Sequence, residues 1–277
     1  MKKFAVFGHP IAHSFSPVMH HASFTSIGFE ATYERCDVPP ETLEAALTQH
    51  AKQGYLGVNL TIPHKMLALP MMDELTPEAK RLGAVNTVCF RDGKRYGHNT
   101  DGPGFIAAVK HMLHMDPAGH PVAVIGCGGA GRAVALSLAT AGATWMGLID
   151  IDSQRAQALA DEISSTTTAK AEVITHARLK EADLIAQCSP SGLSAFPAPA
   201  AKTEDFRAGQ KLYDIVIPPG DPQTPTMKEA LRAGVECANG IRMLVEQGAL
   251  AFTFWTGLQA DREAMMRAVE EGVLRHV

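Results

Sequence analysis

The stretch VAVIGCGGAGRAVALSLATAG, residues 122–142, decides the fold class. It runs from an apolar strand through a glycine turn into a helix. Gly126, Gly128 and Gly131 match the spacing G-x-G-x-x-G. The first glycine permits the tight turn, the second admits a pyrophosphate against the backbone, and the third lets the helix pack on the strand. The free N–H groups of the following helix then favour an anion. A glycine turn needed only for close packing is the alternative. Against it stand the strand before the turn, the helix after it, and an acid at the end of the next strand. That acid is Asp150 in MGLIDIDSQRA, 24 residues after Gly126, near where a carboxylate takes the adenosine ribose hydroxyls. A 2′-phosphate there meets like charge, so Asp150 favours NAD over NADP. Arg155 is close enough in sequence to act against that preference. Asp152 reads as a helix N-cap.

Working outward from this turn, strand-like runs alternate with helical patterns along the whole chain, the signature of an α/β protein. Behind the turn the strand candidates are 122–125, 144–149, 171–174, 183–187, 211–216 and 235–238, with helical stretches between most of them, as in a doubly wound sheet. The Pro/Ala-rich piece 196–201 reads as a loop. Ahead of the turn the candidates are 3–7, 31–36, 57–61 and 85–90. Helices between them are punctuated by Ser16-Pro17 and Gly28, and by Thr76-Pro77 and Gly83. Leu43, Ala46, Leu47 and His50 line one face of another. Two helical patterns end the chain, 240–257 and 260–272. The first is apolar on two faces, which predicts that it is mostly buried, with Gln247 requiring a polar partner.

Composition excludes several classes. The chain has 277 residues with 46% hydrophobic and 19% charged, enough for two domains of an ordinary globular protein. Net charge is −4 without a basic block, which predicts neither a nucleic-acid footprint nor a polybasic membrane patch. No run approaches the roughly 20 apolar residues of a membrane span. The apolar part of MKKFAVFGHP is too short for a signal peptide. The 5 cysteines are scattered and show no C-x-x-C, which predicts a reduced, cytoplasmic chain. His20-His21, His9 with His13, and His111 with His114 make no convincing metal-ligand pair, so no metal is expected. None of Tyr33, Tyr55, Tyr96 or Tyr213 has a lysine four residues on, which removes the Tyr-x-x-x-Lys dehydrogenases.

Hydride transfer to a carbonyl needs a proton donor for the new hydroxyl. In GVNLTIPHK (57–65) a lysine, Lys65, follows a strand end, where open α/β sheets place ligand groups. The alternative for Lys65 is an exposed lysine at a helix start. HSFSP (13–17) puts the hydroxyls of Ser14 and Ser16 at a helix N-terminus, a carboxylate site unless Ser16 is only a cap. AVNTV (84–88) sets Asn86 and a threonine in an apolar strand, where they need partners. GHNTDGPGF (97–105) sets Asp101 just ahead of a helix, with capping by Thr100 or Asp101 as the plain alternative.

Taken together, GHPIAHSFSP, GVNLTIPHK, GAVNTV, GHNTDGPGF, VIGCGGAGRA, YDIV and MLVEQGALAF resemble the shikimate dehydrogenase family, in its order and across nearly the whole chain. The resemblance implies an N-terminal α/β substrate domain plus a doubly wound Rossmann dinucleotide-binding domain. Residues 1–101 with 239–277 would form the first and 102–238 the second. It implies reduction of 3-dehydroshikimate to shikimate by NAD or NADP, in aromatic amino-acid biosynthesis, by a monomer or homodimer. Lys65 and Asp101 are implied as the catalytic pair. Ser14, Ser16 and Thr61 would take the substrate carboxylate, and Asn86, Asp101 and Gln247 its ring hydroxyls. Gly126, Gly128, Gly129, Ala130, Gly131, Asp150, Arg155, Ile217 and Gly240 would surround the cofactor. Departures are specific. Asp150-Ile151-Asp152 stands where NADP users carry Asn-Arg-Thr, Ile217 where a tyrosine is common, QCSPSGL (187–193) where N-A-T-P-x-G-M is common, and His21 where an asparagine is usual. An NAD-dependent quinate/shikimate or aminoquinate dehydrogenase of the same fold is the alternative, and a non-catalytic dinucleotide-binding redox sensor is an alternative of another class.

Overall fold

Two six-stranded sheets carry the chain. The computed structural model describes residues 1–217 and 220–275. It divides into two compact units, Met1–Asp101 with Leu244–Gly272, and Gly102–Met243 with Val273–Val277.

The first unit begins with β1 (Lys2–Gly8), α1 (Ser16–Ser26), β2 (Ala31–Asp37), α2 (Leu43–Lys52) and β3 (Tyr55–Leu60). There follow α3 (His64–Leu67), β4 (Glu74–Leu75), α4 (Pro77–Leu82), β5 (Thr87–Arg91) and β6 (Lys94–His98). The sheet order is β2-β1-β3-β5-β6-β4, parallel on the β1 side and antiparallel where β5 meets β3 and β6. Phe4, Ala5 and Phe7 of β1 are fully buried, as the central strand of a sheet covered on both faces requires. α4 shows how local the signals can be. Thr76 accepts the Ala79 N–H, Pro77 fills the first turn, and Gly83 closes the helix at φ +60°.

Sequence and structure part at three places in this unit. β4 and β6 are absent from the sequence reading, because one is two residues long and the other, KRYGH, carries no apolar alternation. The run at 85–90 starts as a strand only at Thr87. Ser16 is not the cap of α1. Phe15 holds that position without a side-chain bond, and Ser16 lies beside the Tyr33 phenol.

The second unit takes most of α5 (Asp101–Met112), followed by β7 (Pro121–Ile125), α6 (Gly129–Thr140), β8 (Trp145–Ile149), α7 (Ser153–Thr166), β9 (Lys170–Val173), β10 (Leu184–Gln187), β11 (Lys211–Asp214), α8 (Pro225–Arg232) and β12 (Glu236–Ala238). Its strands are all parallel, in the order β12-β11-β10-β7-β8-β9. This is the doubly wound arrangement, in which successive crossovers reverse direction between β7 and β10. The carboxyl ends of those two strands are therefore where such a sheet opens to a ligand. Val122, Ala123 and Val124 have no exposure, which explains the unbroken apolar run that opens the glycine turn.

The chain ends with α9 (Ile241–Thr256) and α10 (Arg262–Arg275). No residue of α9 is fully exposed, as its two apolar faces predict. Trp255 near its end stacks on Phe4 at 4.9 Å and donates its indole N–H to the Val88 carbonyl at 2.9 Å. Gly57 makes room for that ring, because a Cβ there would lie 2.2 Å from Trp255 Nε1. Among the described residues no helix is long and apolar enough to cross a membrane, and no cluster of His, Cys, Asp and Glu has the grouping of a metal site.

Candidate active site

In the first unit, β3 ends at Leu60 and α3 begins directly after Pro63, which places Lys65 in its first turn beside the Asn86 and Asp101 segments. The Val85 N–H holds the Lys65 carbonyl at 2.8 Å. Lys65 Nζ donates to Asp101 Oδ2 at 2.6 Å, with the side chains 17% and 6% exposed. The ammonium therefore keeps an open side while the carboxylate is enclosed. Asn86 sits between the two segments. Its Nδ2 donates to Asp101 Oδ1 and to Thr100 Oγ1, each at 2.9 Å, and its Oδ1 accepts the Thr100 N–H at 2.9 Å. Asn99 braces the same turn, accepting the Asp101 N–H and donating to the Ala84 carbonyl, both at 3.0 Å. The arrangement is a cation oriented by a carboxylate, which is itself oriented by a buried amide. It can hold a polar oxygen and pass it a proton.

The other expected substrate residues differ in their attachments. Ser14 Oγ accepts the Ser16 N–H at 3.3 Å, so the two hydroxyls share one turn. Ser16 is 7% exposed and lies beside Tyr33. Thr61 packs its methyl against Gly8, where a Cβ would lie 2.6 Å from Cγ2, and its N–H donates to the Phe7 carbonyl at 2.9 Å. Gln247 is partly exposed and donates to the Leu244 carbonyl at 2.8 Å. Among the described residues it makes no hydrogen bond to Lys65, Asp101 or Asn86. Its neighbour Gly248 lies against Met19 and His20 of α1.

Sequence reasoning passed over the buried polar residues Tyr33 and Asn59, both under 6% exposed. The signal was available, since Asn59 interrupts the apolar run of β3 as plainly as Asn86 interrupts its own. It also passed over His20, which is fully buried, with neither ring nitrogen bonded in the structure, and stacked on Tyr33 at 4.3 Å. Burial lowers its pKa to about 3, and the nearby His21 acts in the same direction. The ring is therefore neutral at physiological pH and serves as an aromatic slab.

In the second unit, the glycine turn leaves β7 with the Gly126 N–H bound to the Ile149 carbonyl at 2.7 Å. Gly126 has φ +92°, and a Cβ on Gly131 would lie 1.7 Å from the Gly126 carbonyl, so turn and helix fit only without side chains. Gly128 and Gly129 differ, because a Cβ on either meets nothing within 4 Å. Their backbone, with that of Ala130, is open at the start of α6, which suits a diphosphate. The residues present therefore fit a dinucleotide. Asp150 Oδ2 accepts the Cys127 N–H at 2.6 Å, and its Oδ1 accepts the Asp152 N–H at 2.9 Å. Asp152 caps α7 through the N–H groups of Gln154 and Arg155. Arg155 is paired with both acids, at 3.3 Å to Asp150 and 3.2 Å to Asp152, while Ile151 is fully exposed beside them. Burial, then the Asp150 charge, pushes the Cys127 thiol up to about 12, so it stays protonated and inert.

Across the β7–β10 opening of this unit, Gln187 and Asp214 are buried together. Gln187 Nε2 donates to Asp214 Oδ1 at 3.3 Å and to the carbonyls of Ser189 and Ser191 at 3.1 and 3.2 Å. Thr224 donates to Asp214 Oδ2 at 2.5 Å. Burial raises the Asp214 carboxyl to about 6. Ile217 lies beside Gly240, where a Cβ would come within 3.0 Å of Ile217 Cγ1 and 2.1 Å of the Ile215 carbonyl.

Residues 6–88 match the family model described as the shikimate dehydrogenase substrate binding domain, and residues 240–270 match the shikimate 5′-dehydrogenase C-terminal domain. The chain is 40% identical over 272 residues to a shikimate dehydrogenase (NADP(+)) of Methanopyrus kandleri, covering 95% of this chain and 93% of that one. Among solved structures it is similar to shikimate 5-dehydrogenase from Thermus thermophilus in complex with NADP(H) and shikimate, with TM-score 0.89, 39% identity, and coverage of 98% and 99%. It is also similar to the quinate dehydrogenase from Corynebacterium glutamicum in complex with NAD, with TM-score 0.88, 30% identity, and coverage of 98% and 99%.

Proposed function

The chain belongs to the shikimate dehydrogenase family, and from that premise we propose that it interconverts 3-dehydroshikimate and shikimate, with Lys65 and Asp101 handling the proton. The observation that carries this reading is the 2.6 Å Lys65–Asp101 pair, locked by Asn86 and open on the lysine side. The bound nicotinamide supplies or accepts the hydride. Lys65 gives its proton to the carbonyl oxygen in the reduction direction and takes the hydroxyl proton in the other. Asp101 orients the ammonium and, with Asn86 and Gln247, holds ring hydroxyls. Ser14, Ser16 and Thr61 take the carboxylate. On this reading the first unit is the substrate and catalytic domain and the second is the dinucleotide domain.

For the cofactor we propose NAD over NADP. The curated relative from Methanopyrus kandleri is named for NADP(+), yet here the Asp150-Ile151-Asp152 run presents two carboxylates and an aliphatic side chain. Arg155 is committed to both acids, so a 2′-phosphate would meet charge of its own sign without a free cation. Steady-state rates with shikimate and quinate, each with NAD and with NADP, test the reading. Shikimate over quinate and NAD over NADP are expected. Strong preference for NADP refutes the role given to Asp150, and turnover of neither acid refutes the function.

A further inference from the structure

A continuous run of buried hydrogen bonds leads from Tyr33 to the ion pair of the candidate site. Tyr33 donates to Asn59 Oδ1 at 2.7 Å, and Asn59 Nδ2 donates to Thr87 Oγ1 at 3.1 Å. Thr87 donates to Asn86 Oδ1 at 2.9 Å, and Asn86 Nδ2 donates to Asp101 Oδ1 at 2.9 Å. Lys65 closes the run on the other oxygen of that carboxylate. From Tyr33 to Asp101 every donor points the same way, and the last acceptor is an anion. Such a head-to-tail chain is mutually polarising, and in a low-dielectric interior each bond strengthens the next.

The chain also sets orientations. A phenol that donates to Asn59 requires the amide oxygen on its own side, so the Asn59 NH₂ group faces Thr87. Thr87 then accepts from Asn59, and its single proton goes to Asn86 Oδ1. That bond, together with the Thr100 N–H on the same oxygen, presents the Asn86 NH₂ group to Asp101. Tyr33 is itself held from behind by the stacked ring of His20, which competes for none of these hydrogen bonds.

We infer that Tyr33 is a positioning residue for the proton-transfer pair, acting through Asn59, Thr87 and Asn86 to hold Asp101, and with it Lys65, in one orientation. The inference rests on the function proposed above.

Shikimate oxidation by the wild type and by Tyr33→Phe, Thr87→Val, Thr87→Ser and the double variant Tyr33→Phe/Thr87→Val tests this, with urea midpoints measured alongside. Loss of one link of a chain ending on a charge is expected to lower kcat by about tenfold in Tyr33→Phe and in Thr87→Val, with a smaller change in KM. Thr87→Ser keeps the hydroxyl and is expected to stay within about twofold of wild type. The double variant is expected to be no worse than about tenfold down, since a chain already broken is not broken again. Single variants with wild-type kcat, a Thr87→Ser as impaired as Thr87→Val, or losses that multiply in the double variant overturn the inference. If Tyr33→Phe does not fold, the contrast between Thr87→Val and Thr87→Ser decides alone, and equal kcat in those two overturns it. A wild-type protein without turnover overturns the functional reading and this inference with it, whereas wild-type turnover with unaffected variants overturns the inference only.

Discussion

Replacing Lys65 by methionine preserves an apolar stem of similar length and deletes the ammonium. Two effects follow and can be separated. Asp101, 6% exposed, keeps only Asn86 as a side-chain donor among the described residues. Removing one partner of a buried pair costs about 3–5 kcal/mol; with Lys65 17% exposed, the low end, about 3 kcal/mol, is expected. The chemical effect is distinct. Loss of a positioned proton donor lowers turnover by about 10²- to 10⁴-fold, with a change in substrate KM of less than about threefold. The assay is shikimate oxidation followed by absorbance of the reduced nicotinamide, at a temperature where urea titration shows each variant fully folded. The double variant Lys65→Met/Asp101→Asn removes the stranded charge, so it regains most of the lost stability and none of the turnover. A Lys65→Met kcat within about tenfold of wild type, or turnover that returns with stability in the double variant, refutes the assignment.

Three further outcomes are expected. Asp150→Asn with Ile151→Arg removes a like charge and adds a cation, so kcat/KM should shift toward NADP by at least about tenfold in the NADP/NAD ratio; an unchanged ratio rejects the electrostatic account of cofactor choice. His20 has its pKa depressed from 6.5 to about 3 on folding, so the unfolded chain binds the proton first and stability falls as pH drops below 6.5. Between pH 7 and pH 5 the wild type should lose about 2 kcal/mol more than His20→Phe, read from urea midpoints, and equal losses would mean that His20 is not the buried neutral group. Gly57→Ala drives a methyl to within 2.2 Å of the Trp255 indole and should lower stability by about 3 kcal/mol; adding Trp255→Leu should be less damaging than the sum of the single changes, and simple additivity argues against the close approach.

How much was legible depended on whether the determinant was local. The turn 126–131 could be read because its determinants are local: Gly126 takes a positive φ, and Gly131 almost touches the Gly126 carbonyl. Helix α4 was legible for the same reason, with cap, proline and terminal glycine all in one short run. Ser16 was misread as a cap because the helix starts one residue earlier than the Ser-Pro pair suggests, with Phe15 at the cap position. β6 escaped because its pairing with β5 and β4 comes from backbone ladders rather than from a hydrophobic pattern. Lys65 could be singled out by its place after a strand, but its proximity to Asp101, 36 residues later, is a product of the sheet and was expected only from resemblance. Asn59 and Thr87 show the general difficulty. A polar residue in a buried strand announces that it has partners but does not say which.

The seating of Trp255 over Gly57 has a consequence for biosynthesis. The first unit draws its core from both ends of the chain, whereas the second is nearly one uninterrupted stretch. As the polypeptide leaves the ribosome, β1 and β3 emerge early yet lack the indole that covers Phe4 and caps the Val88 carbonyl until residue 255 is made. The later-encoded glycine-turn unit can thus mature before the earlier-encoded one, reversing the usual N-to-C order. A nascent chain halted ahead of α9 would leave the front sheet with a bare apolar face, a natural target for chaperones.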